Sequence, residues 1–207
     1  MIFKAVMVFF CAATFCFGMS EIGTVVAIFG TVKAERSDGE VELLERGAPV
    51  FLNDLLQVDD KSHAQIKLTD GSLFNLIPDT HYKVDQYLLE GVGERSLFSS
   101  ELLKGGLRGI TGRIGKSNPE GVSVKTPTSV IGLRGTIFEI VITATGTFFA
   151  CESGEIRVSN LGGSLALGPR AGQQFGVVSG PNLSPQILSR RPDALNLNRF
   201  ILPRGCH

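Results

Sequence analysis

From Ile22 onward the chain is a succession of short apolar runs broken by Gly, Asp, Asn and Pro. Residues 23–30 (GTVVAIFG) read as a strand with turn residues at both ends, and residues 31–35 as a second. Residues 64–69 alternate apolar and polar, the mark of a half-buried strand. Asp70-Gly71 follows as a hairpin turn signal, and residues 73–77 continue on its far side. Pro78-Asp79 ends that run and residues 82–85 alternate again. Residues 98–103 have helical character and lead into the Gly-punctuated stretch 104–115. Residues 122–126 form a strand stopped by Pro127. Residues 136–143, the most β-prone run, are predicted to pair with 147–151 across 144–146. Ser153-Gly154 reads as a turn, and strands at 155–158, 165–167 and 174–178 complete the series. Turn signals recur about every 8–12 residues, the spacing of a sandwich, barrel or β-solenoid. The predicted architecture is all-β, a single β-solenoid- or sandwich-like domain over residues 21–180 with many short strands and Gly turns. A mostly irregular C-terminal tail follows over 181–207, broken by Pro185 and Pro192, with a helical turn or two at 193–200.

Residues 1–20 have a different pattern. Lys4 is their only charge, residues 5–17 are an apolar run with Thr14 as its one polar residue, and Gly18 and Ser20 supply small residues behind it. That is the order of a secretory signal peptide, with cleavage after Gly18 or after Ser20. The run falls short of the about 20 apolar residues of a bilayer-spanning helix, and Glu21 stops it. Cleavage would leave an exported protein, periplasmic or secreted, with no stable membrane span. The other reading is an uncleaved signal anchor. Cys11 and Cys16 each follow Phe, where a lipid-attachment signal wants a small residue.

The length of 207 residues suits one domain. Lys plus Arg and Asp plus Glu are both 20, so whole-chain charge gives no argument for nucleic acid. The distribution is uneven. Residues 104–134 carry Lys104, Arg108, Arg113, Lys116, Lys125 and Arg134 against Glu120 alone, whereas residues 35–60 are strongly acidic. Gly-rich backbone with Arg can bind phosphate or carboxylate, which makes Lys104, Arg108, Arg113, Lys116 and Arg134 candidate contacts to an anionic envelope polymer or an acidic envelope protein. Alternatively, the charged stretches are solvated or neutralised within the fold, and Arg134, between Gly132-Leu133 and Gly135, bonds carbonyls at a turn.

Outside the signal the cysteines are Cys151 and Cys206. An oxidising envelope permits a disulfide between them; otherwise Cys151 is a small core residue and Cys206 is free. His63, His81 and His207 stand in no catalytic spacing, and no Gly-x-Ser-x-Gly elbow occurs. Asp59, Asp60 and His63 match no metal motif, and nothing asks for a cofactor. An enzyme, such as an envelope hydrolase, has no residues singled out for it. Without Trp, ring stacking on sugars would fall to Tyr82 and Tyr87, which lie on opposite faces of a regular strand.

The order of these elements resembles the FecR domain over residues 23–178. The resemblance is carried by Gly30-Thr-Val with Arg36 and Gly47, Asp54 with Val58, Ala64 to Ser72, and Leu103-Lys-Gly-Gly-Leu-Arg108. Its most specific stretch is Val124-Lys-Thr-Pro-Thr128 followed by Ile131-Gly-Leu-Arg-Gly-Thr-Ile-Phe138; Cys151 to Val158 and Gly172-Gln173 complete it. The resemblance implies a β-solenoid-like fold and a non-enzymatic module for recognition or scaffolding. In its best known members this domain belongs to a membrane-anchored anti-sigma regulator with a cytoplasmic helical segment. With only Met1 to Lys4 ahead of the apolar run, that role is not expected to carry over.

Overall fold

The structure, a computed structural model, describes residues 20–89 and 96–197. All but the last residue of the expected signal, and Cys206, lie outside the described residues. In chain order the elements are β1 (Glu21–Phe29), β2 (Val32–Glu35), β3 (Val41–Leu43), β4 (Pro49–Phe51), β5 (Leu55–Val58), β6 (His63–Leu68), β7 (Leu73–Leu76) and β8 (His81–Leu88). Then come β9 (Leu97–Lys104), β10 (Gly106–Ile110), the short helix α1 (Arg113–Ser117), β11 (Val122–Lys125), β12 (Val130–Thr143) and β13 (Gly146–Asn160). The last strands are β14 (Gly163–Leu167), β15 (Phe175–Val178) and β16 (Gln186–Leu188). The fold is all-β, as the turn spacing predicts. The hairpin at Asp70-Gly71 joins β6 to β7, and the predicted pairing across 144–146 forms the β12–β13 hairpin.

All the strands join one continuous sheet that curls into two facing layers, and the long hairpin belongs to both. The start of β12 pairs with β11 and its end with β10. The start of β13 pairs with β15 and its end with β14. One layer therefore runs β3-β2-β5-β8-β9-β11 to the hairpin and on to β14. The other runs β4-β1-β6-β7-β10 to the hairpin and on to β15-β16. The hairpin turns its corner where its register shifts, next to Arg134-Gly135 and Ser153-Gly154. Gly154 has φ +80°, and a Cβ on it would lie 2.4 Å from the Gly135 carbonyl oxygen and 2.6 Å from that of Arg134. Only glycine lets the two strands cross there. Ser153-Gly154 is thus a kink inside one strand, not the turn between two strands that local composition suggests.

The core lies between the layers. The Phe74 ring of one layer meets Tyr82 and Phe98 of the other at centroid distances of 5.9 and 5.6 Å, and Phe138 at 6.3 Å. Residues 98–103 belong to a strand and not to a helix. Phe98, Ser100 and Leu102 alternate inward while Glu101 and Leu103 face out, and pairing with β8 and β11 overrides the local preference. Tyr82 and Tyr87 share the inner side despite their odd spacing, because a register shift between Val84 and Gln86 restores the phase. Tyr87 meets the Phe98 ring edge-on at 6.2 Å.

The described part of the tail is irregular apart from β16 and a 3-10 turn, Asp193–Leu195. It is docked nonetheless. Leu195 and Leu197 are buried with Val141 and Ala150 in a second, smaller apolar cluster, on the outward side of the β12–β13 hairpin.

Candidate functional site

The five basic residues marked by the sequence do not form one patch. Lys104 pairs with Asp79 at 3.2 Å on the surface. Arg108 is largely buried, 2.8 Å from Glu152 and 3.8 Å from Glu139. Arg113 donates to the Thr69 carbonyl at 3.2 Å, Lys116 is exposed on α1, and Arg134 pairs with Glu120. In the acidic stretch, Arg36 is buried over the Phe51 ring and holds Asp54 and Glu42, while Lys33 holds Asp59 at 3.5 Å.

Arg108 leads to a cluster that sequence spacing could not reveal. Glu139 faces outward on β12, yet it is completely covered because the tail lies over it. Arg191 of the tail donates to Glu139 at 2.5 Å and to the Leu195 carbonyl at 2.7 Å. Burial pushes the Glu139 carboxyl up to about 7; Arg191 and Arg108 draw it back only in part. Glu139, Arg108 and Arg191 are 83 positions apart in sequence at the extremes, so only the fold assembles them.

Several of the quoted motif residues are structural. Asp70 accepts hydrogen bonds from the Ser72 amide and hydroxyl, each at 2.9 Å, and from the Ile114 amide at 3.3 Å, so it fixes α1. Thr126 closes the turn between β11 and β12: its hydroxyl donates to the Ser129 carbonyl and accepts from the Ser129 amide, both at 3.1 Å. Cys151 is fully buried, and burial pushes its thiol up to about 11. Its expected partner, Cys206, is outside the described residues.

The most specific stretch also builds an open feature of the surface. Along β12, Ile131 and Leu133 point into the core, which leaves Val130, Gly132 and Arg134 facing outward. Register extends these positions into cross-strand rows. Val130 lies beside Lys125 and Ser159, Gly132 beside Ser123 and Arg157, and Arg134 beside Glu155. The middle row is low over Ser123 and Gly132, which are small, with Arg157 beside them; nothing but the Arg157 carbonyl, at 3.9 Å, stands near a Cβ placed on Gly132. Three depressions follow the rows. The first, about 550 Å³, lies between Leu103, Val130 and Leu161. It shares Val130 and Ser159 with a second of about 230 Å³ over Gly132. The second shares Arg134 and Glu155 with a third of about 480 Å³ that reaches Arg170. Together they make one trough across the outer side of a layer. One end is apolar, with Leu103, Val130 and Leu161 45, 45 and 88% exposed. The other end carries Arg134, Glu155 and Arg170, and Arg157 stands in the middle row beside Gly132. The alternation of β12 could have suggested an outward Val130-Gly132-Arg134 set; the contributions of β9, β13 and the 169–170 turn could not be read from spacing.

Comparison with known proteins agrees with this architecture. Two crystal structures of a candidate anti-sigma factor from Parabacteroides distasonis are similar in fold. One is 20% identical with a TM-score of 0.50, the other 19% with 0.49; in each, 68% of this chain and 60% of that one are covered. This chain therefore spans less than two thirds of that protein's length. No curated protein matches the chain. The family described as FecR protein matches residues 54–157, from the buried Asp54 to Arg157 in the trough. That match covers half of the sequence and includes the β12–β13 corner and the trough floor, and on it the chain belongs to the FecR family.

Proposed function

We propose that this protein is an exported, non-enzymatic FecR-type module that binds another protein of the bacterial envelope. The observation that carries the reading is the open trough, built from the stretch that most marks the family and left without an occupant of the chain's own among the described residues. Its polar groups are suited to recognition: Arg157 and Arg170 are exposed and make no ion pair with the described residues. The buried Glu139 is held by two arginines and covered by the tail, an arrangement that serves docking of the tail and leaves no approach for a substrate. Export rests on the order of basic, apolar and small residues in 1–20.

A second reading, an anchored regulator of the anti-sigma kind, is favoured by the fold shared with the Parabacteroides distasonis protein. The intact mass of the native protein from fractionated cells separates the two. A mass cut after Gly18 or Ser20, found in the soluble envelope or the medium, supports the exported module. A full-length mass in the inner-membrane fraction overturns it in favour of the regulator.

A further inference from the structure

We propose that the trough over β9, β11, β12 and β13 is a docking site for an extended polypeptide segment that carries an apolar side chain and, about two to four residues along, a carboxylate. The inference rests on the reading of the protein as a binding module and specifies what it binds.

The occupant follows from the shape and the charge. The trough runs along β12, and the outward side chains Val130 and Arg134 are four positions apart, roughly 13 Å at the rise of a strand. An extended segment laid along it would span the distance between the two ends in about four residues. The middle is a shallow floor of Ser123 and Gly132, where a segment's backbone can lie close to the sheet with Arg157 at its β13 side. At the apolar end Leu103, Val130 and Leu161 are exposed around a depression large enough for one or two aliphatic or aromatic side chains. At the far end Arg134 is paired with Glu120 and stands beside Glu155, whereas Arg170 there and Arg157 in the middle row make no ion pair among the described residues. Guanidinium groups in that state favour a carboxylate, which they can bind in bidentate fashion. A uniformly anionic polymer would gain nothing from the apolar end, and a purely apolar ligand nothing from the arginines. A segment with both matches the site.

The test is selection from a displayed library of random extended peptides against the full chain as recovered from its cells, followed by affinity measurements on the selected peptides. Two variants probe the site. Gly132→Val fills the floor, and the open space above Gly132 lets it fold. Arg157→Glu reverses the charge beside the floor. The expected result is a selected pattern of an apolar residue with Asp or Glu about two to four positions away. Its affinity should fall about tenfold or more in both variants, with thermal melting unchanged, and replacing the acidic residue by Lys should abolish binding. Peptides that bind equally well to Gly132→Val overturn this site while leaving a binding module. Capture of anionic phospholipid vesicles or polyphosphate in place of peptides overturns the choice of a polypeptide. If the chain selects no peptide and is found full-length in the inner membrane, both the site and the proposed function fall.

Discussion

Replacing Gly154 by alanine isolates the corner that lets one hairpin serve two layers. Two costs add. Gly154 has φ +80°, a conformation that costs a residue bearing a Cβ about 1–2 kcal/mol. The new methyl would also stand 2.4 and 2.6 Å from two carbonyl oxygens of the partner strand, Gly135 and Arg134. Those are backbone atoms held by the hairpin, so the corner must open, and overpacking of this kind costs about 1–3 kcal/mol. The expected loss is roughly 2–5 kcal/mol. Gly39→Ala is the matched control. Gly39 has φ +88° with nothing within 4 Å, so it bears the conformational cost alone, about 1–2 kcal/mol. Because the chain has no Trp, far-UV circular dichroism should follow urea unfolding of both variants and the parent. The midpoint should fall clearly further for Gly154→Ala, with slopes unchanged. Equal losses in the two variants would refute the argument that the strands cross too closely for a side chain.

Three further outcomes are expected. Asp54→Ala strands the buried Arg36 without its buried partner and should cost about 3–5 kcal/mol by denaturant unfolding; a loss under about 1 kcal/mol would contradict that role. Glu139 has its carboxyl at about 7 in the folded protein against 4.5 for the free group, so the native state keeps a proton that the unfolded chain gives up. Its contribution is complete below pH 4.5 and is lost as pH rises through about 7, roughly 3 kcal/mol in all. The stability difference between the parent and Glu139→Gln, measured across that window, should change by that amount, and a flat difference would contradict it. Finally, Cys151, buried with its thiol pushed up to about 11, should react with a thiol reagent in step with global unfolding and not before.

The strand pattern was legible because burial on one side imposes a period of two, and Gly and Asp-Gly punctuate it at the turns. What escaped was non-local. Residues 98–103 resemble a helix until β8 and β11 flank them. Tyr87 looks outward until the bulge after Val84 shifts its phase. Ser153-Gly154 carries turn chemistry, and whether such a pair reverses a strand or kinks it depends on the strand across from it. At the site, the sequence picks out Arg134, which sits at the charged end of the trough. It also groups Arg134 with Lys104 and Arg108, which the curl of the sheet sends to separate places. The basic run is contiguous along the chain, but strands alternate sides and change layers, so linear charge density did not become a surface patch.

The shared hairpin has a consequence for how this chain is made. β1 is synthesised before β12, β13 and β15, yet its layer closes only when they arrive, and Val178 lies about 150 residues after Phe29. At ribosomal speeds of about 5–20 residues per second, that is on the order of ten to thirty seconds. Throughout that interval the early strands have unpaired edges and no finished core to bury against. A holding chaperone or a translocation machine that takes the chain during that time meets an open polypeptide, and the same interval exposes it most to edge-to-edge aggregation.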